Sequence, residues 1–196
     1  GVGRRFETKG VSNGVTIIDD YGHHPVEISA ALKAGRMMCG KHKLIAVVQP
    51  HRYSRLADLF VDFCGCFHDA DEVLVADVYA AGETPIEGID RDALVSGLRD
   101  HGHKATSALL HRDHLASEIK ARTSDGDLVM CLGAGDITTW AANLPRELEK
   151  LGKNPAVRIC LDLLSQLLGS QSMADMKRLL SDRRESSIIS QAPFLL

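Results

Sequence analysis

The sequence predicts an α/β domain of the Rossmann-like, doubly wound kind, a mostly parallel sheet with helices on both faces. Three observations predict it. Leu44–Val48 and Leu128–Leu132 are short, unbroken apolar runs, and Val15–Ile18 is apolar but for Thr16, as in strands buried on both faces. Between such runs lie stretches whose apolar residues recur at helical spacing. The chemically distinctive segments each follow directly from a strand, and right-handed crossovers gather those loops at one edge of a parallel sheet.

Taken in order, Val15–Ile18 is the first strand, and it runs through Asp20-Tyr21-Gly22-His23-His24 into Pro25. Proline suits the first turn of a helix, where its missing N–H has no partner to lose. That helix extends to about Met38, with Val26, Ile28, Ala31, Leu32 and Met38 as its apolar members. Leu44–Val48 is the second strand, and Tyr53–Phe67 reads as one amphipathic helix carrying Leu56, Leu59, Phe60 and Phe63. Val73–Val78 is a third strand. Arg91–His101 and Arg112–Arg122 read as helices flanking a weaker strand near Ala105–Leu110. Leu128–Leu132 is the last strand, entering Gly133-Ala134-Gly135 and a helix from about Asp136.

Beyond Gly152 the composition changes. Asn154-Pro155 reads as a break, Val157–Leu168 is leucine-rich at helical spacing, Met173–Leu180 continues as a second helix, and Ser181–Leu196 has no clear period. The expected division is residues 1–9 as the end of a preceding segment or linker, 10–152 as the sheet domain, and 153–196 as a helical or partly ordered extension. The first residue is Gly1 rather than Met, which suggests an excerpt from a longer protein.

Composition narrows the function classes. With 44% hydrophobic and 25% charged residues the chain reads as an ordinary soluble globular protein. A net charge of −3 gives no footprint for nucleic acid or an anionic membrane. No apolar run approaches the ~18 residues that span a bilayer, and no signal-peptide pattern is present, so a cytoplasmic location is expected. The five cysteines are odd in number and scattered. Cys64-Gly65-Cys66 lies in an apparent helix, where residues two apart do not share a face, and no second pair completes a zinc set. Structural cysteines and no metal site are expected.

Arg52 and Arg55 lie three apart at the start of a helix and so share a face. Arginine at a helix N-terminus, away from the favourable end of the dipole, suggests anion binding. With His51 beside them they form a candidate clamp for phosphate or carboxylate oxygens; a solvated charged face is the alternative. Asp20, at a strand end, suits the hydroxyl pair of a ribose. The backbone N–H groups of Gly133-Ala134-Gly135 can meet an anion, though an ordinary tight turn fits as well. It is not the dinucleotide Gly-x-Gly-x-x-Gly pattern, because position 138 is Thr. No Gly-x-x-x-x-Gly-Lys-Ser/Thr phosphate loop occurs in the chain.

Asp20-Tyr21-Gly22-His23-His24-Pro25, together with Gly1-Val2-Gly3-Arg4-Arg5-Phe6-Glu7 before it and Gln49-Pro50-His51-Arg52-Tyr53-Ser54-Arg55 after it, resembles the C-terminal region of the Mur ligases. Asp77-Val78-Tyr79-Ala80-Ala81-Gly82-Glu83-Thr84-Pro85 and Gly133-Ala134-Gly135-Asp136 fit in the same order, and the likeness covers roughly residues 1–150. The nearest branch joins L-alanine to UDP-N-acetylmuramate in peptidoglycan precursor synthesis; a sister branch recycles murein tripeptide. The resemblance implies ATP-dependent activation of a carboxylate as an acyl phosphate, followed by attack of the amine. It implies Arg52, Arg55 and His51 near the γ-phosphate and acyl phosphate, and Asp20, Arg5 and Tyr21 at the nucleotide. It implies Tyr21, His23, Glu83, Gly133 and Gly135 at the substrate. Glu83 reads equally as orienting the incoming ammonium or as a plain loop carboxylate, and His24 reads more simply as a cap of its turn. ATP and Mg would be held by a central ATPase domain, with phosphate-loop and metal ligands outside this chain, so the fragment alone should be inactive. A free-standing nucleotide- or anion-binding regulatory module is the alternative of a different class, with a dehydrogenase a distant third.

Overall fold

The computed structural model describes residues 5–152. Along them run β1 (Glu7–Ser12), β2 (Val15–Asp20), α1 (Pro25–Cys39), β3 (Leu44–Val48), α2 (Tyr53–Asp58) and α3 (Phe60–Gly65). Then come β4 (Glu72–Val75), α4 (Arg91–Asp100), β5 (Thr106–Ala108), α5 (Leu115–Arg122), β6 (Leu128–Leu132) and α6 (Ile137–Gly152). The strands make one sheet in the order β1-β2-β6-β3-β4-β5. Every pairing is parallel except β1 with β2. The doubly wound, mostly parallel α/β fold expected from the sequence is therefore present.

Its central strands explain the unbroken apolar runs. Both β3 and β6 are buried at every position. Alternate side chains serve opposite faces: Leu44, Ala46, Val48, Leu128, Met130 and Leu132 pack in the layer covered by α1, α3 and α4. Ile45, Val47, Val129 and Cys131 join Leu115, Ile119, Trp140 and Leu144 on the face covered by α5 and α6. Two packed layers on one sheet give each strand residue a core to enter.

The details differ from expectation in several places. The first strand continues through Asp19 and Asp20, because both carboxylates find partners inside the protein. In α1 the buried positions are Pro25, Ile28, Ala31, Leu32, Gly35 and Cys39. Val26 and Met38, expected on that face, fall off the series and are 72% and 54% exposed. The single helix expected over Tyr53–Phe67 is two, bent at Leu59, where φ is −118° and ψ 22°. Hydrogen bonds from Leu59 to Arg55 O and from Phe63 to Leu59 O carry across the bend, which seats Phe63 and Cys64 in the core. The third strand stops at Val75 rather than Val78 because the chain leaves the sheet to form a site loop. The weak strand is only Thr106–Ala108, and a 3₁₀ turn at Arg112–His114 precedes α5.

β1 is the element the sequence reading lacks. Asn13 and Gly14, at φ 50° and 75°, form its two-residue turn into β2. Two positive φ values mark the hairpin turn whose twist matches the strands it joins, and Asn-Gly is its strongest signal. Because β1 starts at Glu7, the sheet takes in residues that were expected in the preceding segment. The helices expected over Val157–Leu168 and Met173–Leu180 lie outside the described residues.

Cys39, Cys64, Cys66 and Cys131 are buried and unpaired by disulfides. Burial pushes the Cys66 thiol up to about 12 and that of Cys131 higher, so neither supplies a thiolate near neutral pH.

Candidate functional site

The loops after β2, β6, β3 and β4 stand side by side at the carboxyl edge of the sheet, which brings sequence-distant groups together. After β2, the Asp20 carboxylate is used twice by the backbone. Its Oδ2 accepts from Phe6 N at 2.7 Å and its Oδ1 from Gly22 N at 2.7 Å. His24 is the N-cap of α1, its Nδ1 accepting from Val26 N at 3.4 Å. Glu27 Oε2 reaches back to the amides of His23 at 3.2 Å and His24 at 3.3 Å, completing a capping box. Burial pushes Glu27 up, but these amides and the two imidazoles outweigh it and hold the carboxyl below its usual range. His23 Nδ1 lies 2.9 Å from Tyr21 O. A carbonyl only accepts, so that nitrogen carries a proton.

After β3, Tyr79 N donates to Pro50 O at 2.8 Å and Arg52 N to Tyr79 O at 2.9 Å, zipping the β3 and β4 loops together. Arg52 pays for this register with a φ of 72°, a conformation that costs a non-glycine residue roughly 1–3 kcal/mol. The rings of Tyr21, His23, His51 and Tyr79 form a continuous row along the edge. Centroids are 5.0 Å apart for Tyr21–His23, 5.9 Å for His23–His51 and 5.5 Å for His51–Tyr79. Arg55 Nη1 approaches His51 Nδ1 and O, each at 3.4 Å. Burial first, then the charges of Arg55, His23 and Arg52, lower the His51 pKa and keep the ring neutral at pH 7.

Of the recesses around the row, two are lined by the candidate residues. One of about 340 Å³ is lined by Arg5, Phe6, Asp20, Tyr21, Glu27 and the small face of α1 at Ala30, Ala31 and Ala34. The other, about 330 Å³ and shallower, is lined by Arg52, Ser54, Arg55, Asp58 and Leu59. Arg5, Asp20 and Tyr21 thus share one recess, His23 and His51 the row, and Arg52 and Arg55 the other recess. Arg52 stands one residue before α2, so the pair converges through the bent entry to the helix rather than along a helical face.

Glu83 and the two glycines have a different setting. Glu83 turns its carboxylate onto Ser54. A Cβ on Gly133, at φ 153°, would stand 2.8 Å from Gln49 O, and one on Gly135 would stand 2.4 Å from Gln49 Oε1 and 2.7 Å from the Tyr79 ring. These glycines make room for Gln49 and Tyr79. Gln49 Oε1 accepts from Ile137 N at 3.2 Å and its Nε2 donates to Asp136 Oδ1 at 2.7 Å, so the entry to α6 is already held by a side chain. Sequence reasoning missed Gln49; its position directly after a wholly apolar strand was the available signal. It also missed Asp19, fully buried between Lys9 Nζ at 3.5 Å and the Thr138 hydroxyl. Among the described residues no three His, Cys, Asp or Glu side chains converge as a metal site requires.

A doubly wound domain that lines its carboxyl edge with arginines, histidines and stacked rings belongs to the ligand-binding class of α/β folds. The chain belongs to the Mur ligase family: residues 4–135 match the Mur ligase, glutamate ligase domain. It is 61% identical over 156 residues to a UDP-N-acetylmuramate–L-alanine ligase from Gluconobacter oxydans, covering 80% of this chain and 32% of that protein. A protein of the same description from Rhodospirillum centenum is 61% identical over 151 residues, 77% of this chain and 31% of the relative. The structure of UDP-N-acetylmuramate–alanine ligase from Thermotoga maritima superposes with a TM-score of 0.61 at 24% identity, over 76% of this chain and 31% of that one, and supports the fold. The chain spans about a third of the length of the curated relatives it matches.

Proposed function

We propose that this chain is the C-terminal, amino-acid-binding domain of a cytoplasmic ligase that joins L-alanine to UDP-N-acetylmuramate with ATP, the domain beginning with β1 at Glu7 and ending at residue 152. The observation that carries the reading is the 61% identity to the Gluconobacter oxydans ligase across four-fifths of the chain. The site chemistry agrees with it. ATP supplies the phosphoryl group that makes the carboxylate an acyl phosphate. The recess beside Asp20 fits the nucleotide: Arg5 offers a cation at its rim and the alanines of α1 a flat apolar wall, while the Asp20 carboxylate, held by the Phe6 and Gly22 amides, keeps only its remaining lone pairs for a ribose hydroxyl.

Arg52 and Arg55 hold the anionic phosphate and carboxylate oxygens, where charge grows as the acyl phosphate forms. Neutral His51 adds a polar ring beside them without a competing charge. Tyr21 and His23 line the amino-acid side, and the Gly133–Gly135 turn packs beside Tyr79 at the far end of the row. Magnesium and the phosphate loop belong to the central ATPase domain on which this edge docks. Near-attack geometry requires both halves of the cleft, so the domain alone is inactive.

The test is to express the full-length protein and measure ADP release with UDP-N-acetylmuramate and ATP, offering L-alanine or the L-alanyl-γ-D-glutamyl tripeptide. L-Alanine-dependent turnover supports the reading. Preference for the tripeptide, or no turnover with either, overturns it.

A further inference from the structure

We propose that Glu83 is a positioning residue that caps helix α2 from the loop after β4, through Ser54, and thereby fixes the segment carrying Arg52 and Arg55. This rests on the ligase reading above for the task of the two arginines, though not for the cap itself.

Helix α2 has six residues, too few to hold its shape by its own hydrogen bonds. It buries only Leu56, and its N-cap residue, Arg52, makes no side-chain bond to the first turn. The amide of Ser54 is one of the donors that a helix start leaves without an intrahelical acceptor. Glu83 supplies what the N-cap side chain normally gives. Its Oε2 accepts from Ser54 N at 3.0 Å and its Oε1 from the Ser54 hydroxyl at 2.7 Å. Glu83 is itself aimed by a tight turn, in which its N–H donates to Ala80 O at 3.0 Å and Ala81 and Gly82 take φ of 50° and 87°.

The cap joins the zipper between Pro50, Arg52 and Tyr79, so the two loops meet at both ends of the arginine segment. With both carboxylate oxygens on Ser54, the geometry favours a fixed brace over a ligand for an incoming ammonium. The Ser54 amide and hydroxyl, and then the Arg52 charge, keep the carboxyl ionised below its ordinary value of 4.5.

Variants of the full-length protein separate the two roles. Glu83→Gln keeps both contacts, its carbonyl oxygen accepting from the amide and its NH₂ donating to the hydroxyl, but removes the charge. A brace predicts that Glu83→Gln retains kcat within about threefold, whereas Glu83→Ala lowers kcat by roughly tenfold with less change in the KM for L-alanine. It also predicts that adding Ser54→Ala to Glu83→Ala costs little more, because the pair acts as one unit. A direct ammonium contact predicts the reverse: Glu83→Gln as damaging as Glu83→Ala, with the loss in KM for L-alanine. That result overturns the proposal. The present chain tests the cap without any reference to ligation. The Ser54 amide proton shift should follow a carboxyl titration centred below pH 4.5, and Glu83→Ala should abolish that step. A Ser54 amide indifferent to Glu83 overturns the cap even if the protein proves to be an L-alanine ligase.

Discussion

His51 and Tyr79 stack with ring centroids 5.5 Å apart and planes within 14°, each in the loop that follows a different strand. The stack is the side-chain face of a backbone bridge between the same two residues. It places the imidazole where burial and the nearby arginines oppose its protonation. In the folded chain His51 therefore titrates below 6.5, while in the unfolded chain it titrates near that value.

The sign of the linkage follows. Below pH 6.5 the unfolded state binds the proton more readily, so stability falls as the pH is lowered from 6.5 to the folded pKa, and the contribution is fully present above 6.5. His51→Phe keeps a ring against Tyr79 and removes the titration. Urea unfolding of this chain at pH 5.5 and 7.5 should show a smaller difference in the variant than in the wild type. Equal differences would mean that His51 titrates normally.

Arg52 and Arg55 should matter most where charge develops. In the full-length protein, replacing either by Ala should lower kcat by about 10²–10³-fold, the scale of losing one preorganised donor. Arg52→Lys should not restore it, since an ammonium lacks the planar fork. Steady-state kinetics decide this; near-normal kcat in both Ala variants would reduce the pair to a solvated face.

Gln49 should act on stability. Gln49→Leu leaves the Ile137 amide and the Asp136 carboxylate without their buried partner, a cost of about 1–3 kcal/mol. The urea midpoint should fall while the slope of the transition stays the same. A midpoint that does not move would show that water replaces the amide at no cost.

For the chain by itself, the proposed division of the cleft between two domains predicts that ATP and L-alanine bind no tighter than about millimolar, since half of a cleft keeps only part of the binding free energy. Calorimetric titration measures this. Micromolar ATP binding would mean that the recess beside Asp20 is self-sufficient.

The strands most legible in the sequence are those buried on both faces. Leu44–Val48 and Leu128–Leu132 hold as read because continuous burial leaves no polar position to blur their ends. β1 escaped notice because its exposed edge carries Glu7, Thr8 and Lys9, and only Asn13-Gly14 marks it. The bend at Leu59 escaped because its two halves keep a continuous chain of helical hydrogen bonds and one apolar pattern. At the site, residue types and order indicated which loops converge. They could not indicate which groups the protein consumes internally. Asp20, Glu83 and the two glycines each carry structural contacts that depend on neighbours far along the chain, whereas Arg52 and Arg55 remain at an open recess.

The position of β6 sets an order on biosynthesis. It is made last among the strands of the described residues and yet separates β2 from β3. As the polypeptide leaves the ribosome, β1–β2 and β3–β4–β5 can exist only as two fragments with facing open edges, each a template for the wrong partner. Closure waits for residues 128–132, and any product ending before Leu128 would carry both edges into solution unpaired.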